Sequence, residues 1–101
     1  MDLNELQNWV KEDWDKASRK KPDPHLQFLY LFEELGEMSE AIRKLGGHKK
    51  RKNMKMDLEG EFGDVLIALS TLANHYGIDL NSSVRKCQKK IAERHKKGLD
   101  L

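Results

Sequence analysis

The sequence predicts an all-α fold, namely a four-to-five-helix bundle that assembles into oligomers. Four stretches of the chain carry apolar residues at steps of three and four residues, which is the periodicity of one helix face. No stretch sustains the alternation of apolar and polar residues that is typical of a half-buried strand. Proline or glycine residues separate the four stretches, so each helix is predicted to end there.

The length of 101 residues is that of one small domain, which we expect to span residues 1–101. No apolar run approaches the roughly 18 residues of a membrane-spanning helix. The acidic, mixed start of the chain does not resemble a signal peptide. The single cysteine, Cys87, excludes a disulfide framework and a cysteine zinc site, and it fits a reducing compartment. We therefore expect a cytoplasmic protein.

The net charge of +2 conceals a segregation of charges along the chain. Residues 33–40 and 57–64 each contain four carboxylates, whereas residues 43–55 and 85–97 each contain seven Lys or Arg. Such sorting favours a charged ligand or a metal ion. On composition alone, four solvated helix faces explain it equally well.

The first two predicted helices span about residues 2–18 and 25–45. Asp2 is a candidate N-cap for the first helix, and Pro22 and Pro24 stop it. The glycine pair at 46–47 ends the second helix. The predicted core positions of the two helices are Leu3, Leu6, Val10, Trp14, Ala17, Leu31, Leu35, Met38, Ile42 and Leu45.

The third helix is predicted from Asp57, its candidate N-cap, to Gly77, and the fourth from about Asn81 to Lys97. Residues 48–56 between the second and third helices read as an exposed loop. Asp79, Asn81 or Ser82 is expected to cap the fourth helix. The predicted core positions are Leu58, Phe62, Val65, Leu66, Leu69, Leu72, Ala73, Tyr76, Val84, Cys87 and Ile91. The broad apolar faces of the second and third helices exceed what the thin fourth helix can cover, so we expect self-association.

Two pairs of carboxylates, each with three-residue spacing, flank the faces that pack together. Glu34 and Glu37 lie beside the apolar stripe of the second helix, and Glu61 and Asp64 lie beside that of the third. Antiparallel packing of these helices would bring all four together, and a cation would then relieve their repulsion. Because no histidine shares the spacing, the ligands are all oxygen, which favours Mg²⁺, Mn²⁺ or Ca²⁺.

Residues 33–42 and 61–66, read together, resemble the MazG-type nucleoside triphosphate pyrophosphohydrolases. That all-α family has the pattern E-E-x-x-E, then a gap, then E-x-x-D. Here Glu33, Glu34 and Glu37 are followed, after 23 residues, by Glu61 and Asp64. The resemblance implies hydrolysis of an NTP or dNTP to the monophosphate and pyrophosphate, and a house-cleaning role in the nucleotide pool. It also implies homodimers or homotetramers.

The resemblance implies that Mg²⁺, with Mn²⁺ as the substitute, is held by Glu34, Glu37, Glu61 and Asp64. Glu33 or Glu40 is then the candidate for orienting groups at the metal or for acting as the general base, and the sequence does not choose between them.

Contacts to the substrate are predicted at five further positions. Trp9 and Trp14 are packing residues or surfaces that stack on a nucleobase, and His25 is a surface residue or a substrate contact. By alignment with the family, Ile91 replaces an asparagine and His95 a tyrosine near the C-terminus. Lys90 and Arg94 are therefore predicted to contact the phosphates. As a small residue on the fourth helix, Cys87 is expected to be buried.

Two other functions are compatible with the sequence. The basic residues of 49–55 form a solvated loop, a phosphate-gathering lid or a nucleic-acid surface. In the last case the protein is a helical nucleic-acid-binding module, which the acidic pairs disfavour unless a metal binds there. The departure at Ile91 suggests a second alternative, a relative that binds Mg²⁺-nucleotide without turning it over. No membrane partner is expected.

Overall fold

The computed structural model describes residues 1–17, 20, 23–46 and 54–98, with side chains in the last range from Leu58 onward. Within these residues the chain forms four α-helices and no strand. They are α1 (Leu3–Lys16), α2 (Pro24–Gly46), α3 (Met54–His75) and α4 (Leu80–Lys96). The predicted all-α class is confirmed.

The start of each of the first two helices is fixed by an aspartate. Asp2 caps α1, because its carboxylate accepts a hydrogen bond from the backbone N–H of Glu5 at 2.8 Å, and the Glu5 side chain accepts one in return from the Asp2 N–H. Asp23 plays the same part for α2 by accepting from the backbone N–H of Leu26 at 2.9 Å. Pro24 then occupies the first helical position, where its missing N–H costs nothing.

The prediction that Asp57 caps α3 is wrong, because the helix already begins at Met54. Methionine and lysine are good helix formers, so they extend the helix upstream of the aspartate. Of the predicted loop 48–56, residues 54–56 are therefore helical and 48–53 lie outside the described residues.

A Schellman motif closes α3 and leads directly into α4. Gly77 has a φ of 64°, and the Ile78 N–H donates to the Ala73 carbonyl at 3.0 Å. Asp79 is the N-cap of α4, since its carboxylate accepts from the Ser82 N–H at 3.1 Å. The turn between the two helices is therefore short and is held by hydrogen bonds at both of its ends.

Helices α2 and α3 pack against each other as an antiparallel pair, and α1 and α4 lie outside this pair. The buried Gln27 of α2 donates from Nε2 to the Ala68 carbonyl of α3 at 3.3 Å, and Glu34 lies further along beside Glu61. α1 packs on α3, and α4 packs on α1 over a smaller area. The buried apolar residues of the described chain are few, namely Val10, Leu31, Ala68 and Ala73.

A buried glutamine joins α1 to the turn between α3 and α4. Gln7 is 8% exposed, and its Nε2 donates to Asn74 Oδ1 at 3.1 Å and to the Ile78 carbonyl at 2.7 Å. Its Oε1 accepts from the Leu80 N–H at 3.0 Å, and the Asn74 amide donates back to the Gln7 carbonyl. One side chain therefore pairs with a side-chain amide of α3, a carbonyl of the turn and the Leu80 N–H, which as the first N–H of α4 has no partner within its helix.

Many residues predicted for the core are exposed instead. We define the apolar face as two rows, one on α2 and one on α3: Phe28, Phe32, Leu35, Ile42, Phe62, Leu66 and Leu69. The residues of each row recur at helical spacing, and at roughly 100° per residue both rows lie on the side of the α2–α3 contact away from Glu37 and Asp64. Phe32 is 56% and Phe62 is 53% exposed. The prediction that these residues lie in the core is thus wrong for the single chain at Leu35, Ile42, Phe62, Leu66 and Leu69.

Four further positions are also exposed against expectation. They are Ala17 just after α1, Tyr76 in the turn after α3, and Val84 and Cys87 on α4. The burial predicted for Cys87 is wrong because α4 meets the rest of the described chain mainly along α1, which covers little of its apolar stripe. None of the described helices combines the length and the hydrophobicity needed to cross a membrane.

Candidate metal centre

Three carboxylates from two helices meet at one edge of the α2–α3 pair. One carboxylate oxygen each of Glu34, Glu61 and Asp64 lies within 4.8 Å of the other two. Their meeting follows from the sequence, because Glu61 and Asp64 are one helical turn apart and the antiparallel packing sets Glu34 opposite them. Glu34 and Glu61 are partly buried, whereas Asp64 is exposed, so the group opens to solvent on one side.

The charge of Glu34 is unfavourable where it lies. Burial is the largest cause that raises the pKa of the Glu34 carboxyl, followed by repulsion from Glu37, Asp64 and Glu61. Its Oε2 is buried and has no hydrogen-bond partner among the described residues. A buried, unpaired carboxylate oxygen surrounded by negative charge is what a bound cation would stabilise.

A hard divalent cation fits this donor set. All the ligand atoms are carboxylate oxygens, which suit Mg²⁺ and Mn²⁺, and they are too few to enclose the ion, so waters or substrate oxygens would complete its coordination.

Glu37 is a neighbour of this group and not one of its three members. It is exposed on α2, and its charge is the largest electrostatic contribution to the raised pKa of Glu34. Its predicted role as a fourth metal ligand stays a prediction.

The two candidates for the general base differ in their surroundings. Glu40 is held in an ion pair: Arg43 donates from Nη2 to Glu40 Oε1 at 2.7 Å and from Nε to Oε2 at 3.2 Å. These bonds lower the pKa of Glu40. Glu33 is exposed on α2 and close enough to contribute to the raised pKa of Glu34. The arrangement favours Glu33 as the carboxylate available to a water molecule.

The predicted aromatic contacts lie on different surfaces. Trp14 is partly buried between α1 and α3 and lines a cavity there. Trp9 is 48% exposed, off the packed face of α1. His25 is exposed in the first turn of α2. Of the three, Trp14 has the enclosed surroundings that a stacking partner needs.

No contact among the described residues brings Lys90 or Arg94, which were predicted to bind phosphate, close to the carboxylates. Lys90 and Arg94 are exposed in the second half of α4, whose main packing partner is α1. Their role stays a prediction. The basic residues at 49–52 lie outside the described residues.

Sequence reasoning missed three residues. Gln7 and Gln27 are buried amides whose bonds join helices, and His75 has a buried Nε2 without a hydrogen-bond partner among the described residues. For Gln7 a signal exists, because it is a polar residue adjoining the stripe of Leu3, Leu6 and Val10. For His75 the signal is its position on the same face of α3 as Asp64.

The part of the chain that carries these carboxylates is similar to known proteins. The model of the MazG nucleotide pyrophosphohydrolase domain matches residues 23–99, which include both acidic helices. The uncharacterized protein YvdC of Bacillus subtilis is 29% identical over 102 residues, covering 93% of this chain and 96% of that protein.

A second relative is the nucleoside triphosphate pyrophosphohydrolase/pyrophosphatase MazG of Thermotoga maritima. It is 35% identical over 92 residues, which cover 91% of this chain and 32% of that protein. The chain thus spans about a third of the Thermotoga protein's length.

Two crystal structures of iMazG from Vibrio DAT 722 have the same fold. One has a TM-score of 0.66 at 30% identity and covers 95% of this chain and 97% of its own. The other has a TM-score of 0.67 at 29% identity, with coverage of 92% and 99%.

Proposed function

The chain belongs to the family of MazG nucleotide pyrophosphohydrolase domains, and from this premise we propose that it is a Mg²⁺-dependent nucleoside triphosphate pyrophosphohydrolase. It would convert an NTP or dNTP and water to the monophosphate and pyrophosphate, as a house-cleaning activity on the nucleotide pool. The observation that carries the proposal is the meeting of Glu34, Glu61 and Asp64 within 4.8 Å at an open edge of the helix pair.

In this proposal the three carboxylates, with Glu37 beside them, hold the metal. When bound, Mg²⁺ would neutralise phosphate charge and favour in-line attack by water. The protein's part is to supply fixed negative charge at the point where two rigid helices meet. Glu34 supports this role, because burial and its neighbours raise its pKa and so oppose its ionisation until a cation is present.

Proton transfer is assigned to Glu33. The reaction breaks the anhydride bond between the α and β phosphorus atoms, and the attacking water must lose a proton as its oxygen bonds to phosphorus. Glu33 adjoins Glu34 in sequence and contributes to its raised pKa, whereas the Glu40 carboxylate is bonded to Arg43. Glu40 would then hold Arg43 in place at the solvent edge of α2.

We also propose that the protein forms dimers or tetramers through the apolar face. The chain exposes 8188 Å², whereas a compact monomer of 11.8 kDa exposes roughly 5,900 Å². Its radius of gyration is 16.6 Å, against roughly 13 Å for a compact chain of this length. A standard interface buries about 800 Å² per partner, which the excess surface readily supplies.

Product identification tests the proposed activity. The wild-type protein is incubated with each NTP and dNTP, with Mg²⁺ or with EDTA, and the products are separated. The proposal expects monophosphate and pyrophosphate in equal amounts, only with the metal, and their loss in Glu37→Gln. Diphosphate and orthophosphate as products, or background release across the whole panel, would contradict it.

A further inference from the structure

The side of α4 opposite its apolar stripe carries a dense group of cations. At roughly 100° per residue, Val84 and Ile91 mark one side of the helix, and five cations and one acid, Glu93, lie on the opposite side. The five cations, which we call the outer face, are Arg85, Lys86, Lys89, Lys96 and Lys97. All five side chains are exposed. Lys90 and Arg94, the predicted contacts to the substrate phosphates, lie to the side and are not part of this face.

The chain does not balance the charge of the outer face. None of its five cations forms an ion pair with another described residue. The helix is attached to α1 at its start, where the Asn81 amide donates to Asn4 Oδ1 at 2.6 Å. Beyond that point α4 packs on α1 over a small area only, so the outer face is open to a partner.

Helix stability alone does not explain these positions. Cations in the last turn of a helix, such as Lys96, are favoured by the helix dipole. Arg85 and Lys86 lie in the second turn of α4, where the dipole gives no such benefit. Arg85 and Lys89 are also four residues apart, and like charges at this spacing destabilise a helix. A polyanion that lies along the outer face would offset this repulsion.

The outer face is long and narrow, which favours a polyanion over a small anion. Arg85 and Lys97 are twelve residues apart in the sequence, which is about 18 Å along the helix at about 1.5 Å per residue. A single phosphate group would reach only a part of this length. A nucleic-acid duplex carries one phosphate charge per about 1.7 Å of its axis, so the same length of duplex presents about ten phosphates.

Three other partners fit this face less well. A helix that lies on a membrane inserts a broad apolar face with large side chains such as Trp or Phe, whereas α4 has a thin apolar stripe and no Trp, Phe or Tyr. Single strands bind by stacking on aromatic side chains, which the outer face lacks. The acidic edge of a second copy offers less free charge, because Glu40 is bonded to Arg43 and Glu34 is partly buried.

We propose that the outer face of α4 docks on the phosphate backbone of a nucleic-acid duplex, without reading the base sequence. Its ammonium and guanidinium groups pair with phosphate oxygens and release the counterions of the duplex, which drives such binding. The carboxylates of Glu34, Glu61 and Asp64 repel phosphates, but they lie on α2 and the first half of α3, whereas α4 follows the other end of α3. The inference goes beyond the proposed function and does not depend on it.

Fluorescence anisotropy tests the docking without metal or nucleotide. Labelled duplexes of about 20 base pairs are titrated with the wild type in EDTA, from about 50 to 200 mM NaCl. A DNA duplex, a DNA duplex of scrambled sequence and an RNA duplex are compared. The binding constant should be micromolar at the lowest salt, and its logarithm should fall against that of the NaCl concentration with a slope of about −3 to −5. The two DNA duplexes should bind equally, and the tighter of DNA and RNA identifies the partner.

Removal of charge from the outer face separates docking from net charge. The triple variant Lys86→Gln, Lys89→Gln and Lys96→Gln should bind the duplex about tenfold or more weakly, with a salt slope shallower by about 2–3. The matched control removes as many charges from exposed lysines outside α4, and should bind as the wild type does: Lys16→Gln, Lys20→Gln and Lys44→Gln. Thermal melts verify folding. Should the triple variant unfold, Lys89→Gln is compared with Lys44→Gln, and the slope should change by about 1 in the former alone.

Several results would overturn the inference. One is the absence of binding of either kind of duplex to the wild type at about 50 mM NaCl, and another is equal affinity of the triple variant and its control. Tighter binding, per unit charge, to a single strand, to vesicles that contain phosphatidylserine or to poly-glutamate would assign the face to another partner. A triple variant with a smaller oligomer mass in light scattering would assign it to a second copy. Docking is measured without nucleotide, so this inference and the proposed function can fail independently.

Discussion

One carboxylate oxygen of Glu34 and one of Asp64 lie within 4.8 Å of each other, although the two residues belong to different helices. The charge of Asp64 is one of the causes of the raised pKa of Glu34. The described residues supply no hydrogen bond to Glu34 Oε2. The metal-free fold is therefore held under repulsion at this edge, and its stability should respond to pH, metal and charge.

The first prediction concerns Glu34 and pH in the metal-free protein. Because the folded-state pKa of Glu34 is raised above its ordinary value of 4.5, its contribution to stability is fully present below that value and is lost as pH rises through the folded-state pKa. The glutamine of Glu34→Gln cannot ionise, so in EDTA this variant should be more stable than the wild type at neutral pH. Its stability should also fall less than that of the wild type as pH rises. The free energy of unfolding, measured in urea from below pH 4.5 to neutral pH, tests this prediction. Glu93→Gln on α4 is the control, and a Glu34→Gln protein that is less stable than this control at neutral pH would contradict the account.

A second prediction is that Mg²⁺ stabilises the fold through the same carboxylates. A ligand at a hundred times its Kd adds about 2.7 kcal/mol, and about 1 kcal/mol raises the Tm of a domain this small by about 4–8 °C. The Tm of the wild type should therefore rise on titration with Mg²⁺, and that of Asp64→Asn should not. Asp15→Asn, an exposed aspartate of α1, should respond as the wild type does; an equal rise in Asp64→Asn would place the metal elsewhere.

A third prediction concerns the amide that joins α1 to the turn before α4. Gln7→Leu keeps most of the volume but leaves the Leu80 N–H, the Ile78 carbonyl and Asn74 Oδ1 without the partner that the Gln7 amide supplies. A buried group left unpaired costs about 1–3 kcal/mol, so the free energy of unfolding in urea should fall by at least that amount. Asn8→Ala, the neighbouring exposed amide, should change it little, and equal effects of the two substitutions would show that the buried bonds are unimportant.

The fourth prediction is that the apolar face holds subunits together. Phe32→Asp puts a charge on this face and should shift the protein to a monomer in light scattering coupled to size-exclusion chromatography, whereas Phe32→Leu should keep the oligomer. Leu66→Asp, on the other row, should act like Phe32→Asp. If the wild type is itself monomeric at high concentration, the proposed interface is wrong.

The helices and their ends were largely predictable because local chemistry decides them. Asp2 caps α1, and Gly77 adopts the positive φ that a Schellman end requires. Asp57 was the exception, since the helix-forming residues before it continue the helix. Spacing on helical wheels also predicted that Glu34, Glu61 and Asp64 approach one another.

The sequence does not show which apolar residues are buried within a single chain. Ile42 and Leu69 have the spacing of core residues, yet each is exposed in the single chain. Periodicity identifies a face and not its partner, and the same limit applies to Cys87. The bonds of Gln7 depend on where α1 crosses the α3–α4 turn, which only the packing of three helices determines.

The most direct test of the central claim is pyrophosphate release with Mg²⁺ by the wild type, Glu34→Gln, Asp64→Asn and Glu93→Gln, all verified as folded. The account predicts that the first two substitutions reduce the rate by about 10²–10³-fold, the size typical of losing one preorganised electrostatic contact. Glu93→Gln should retain the wild-type rate. Release at the wild-type rate by Glu34→Gln and Asp64→Asn would contradict the claim that these carboxylates form the metal centre.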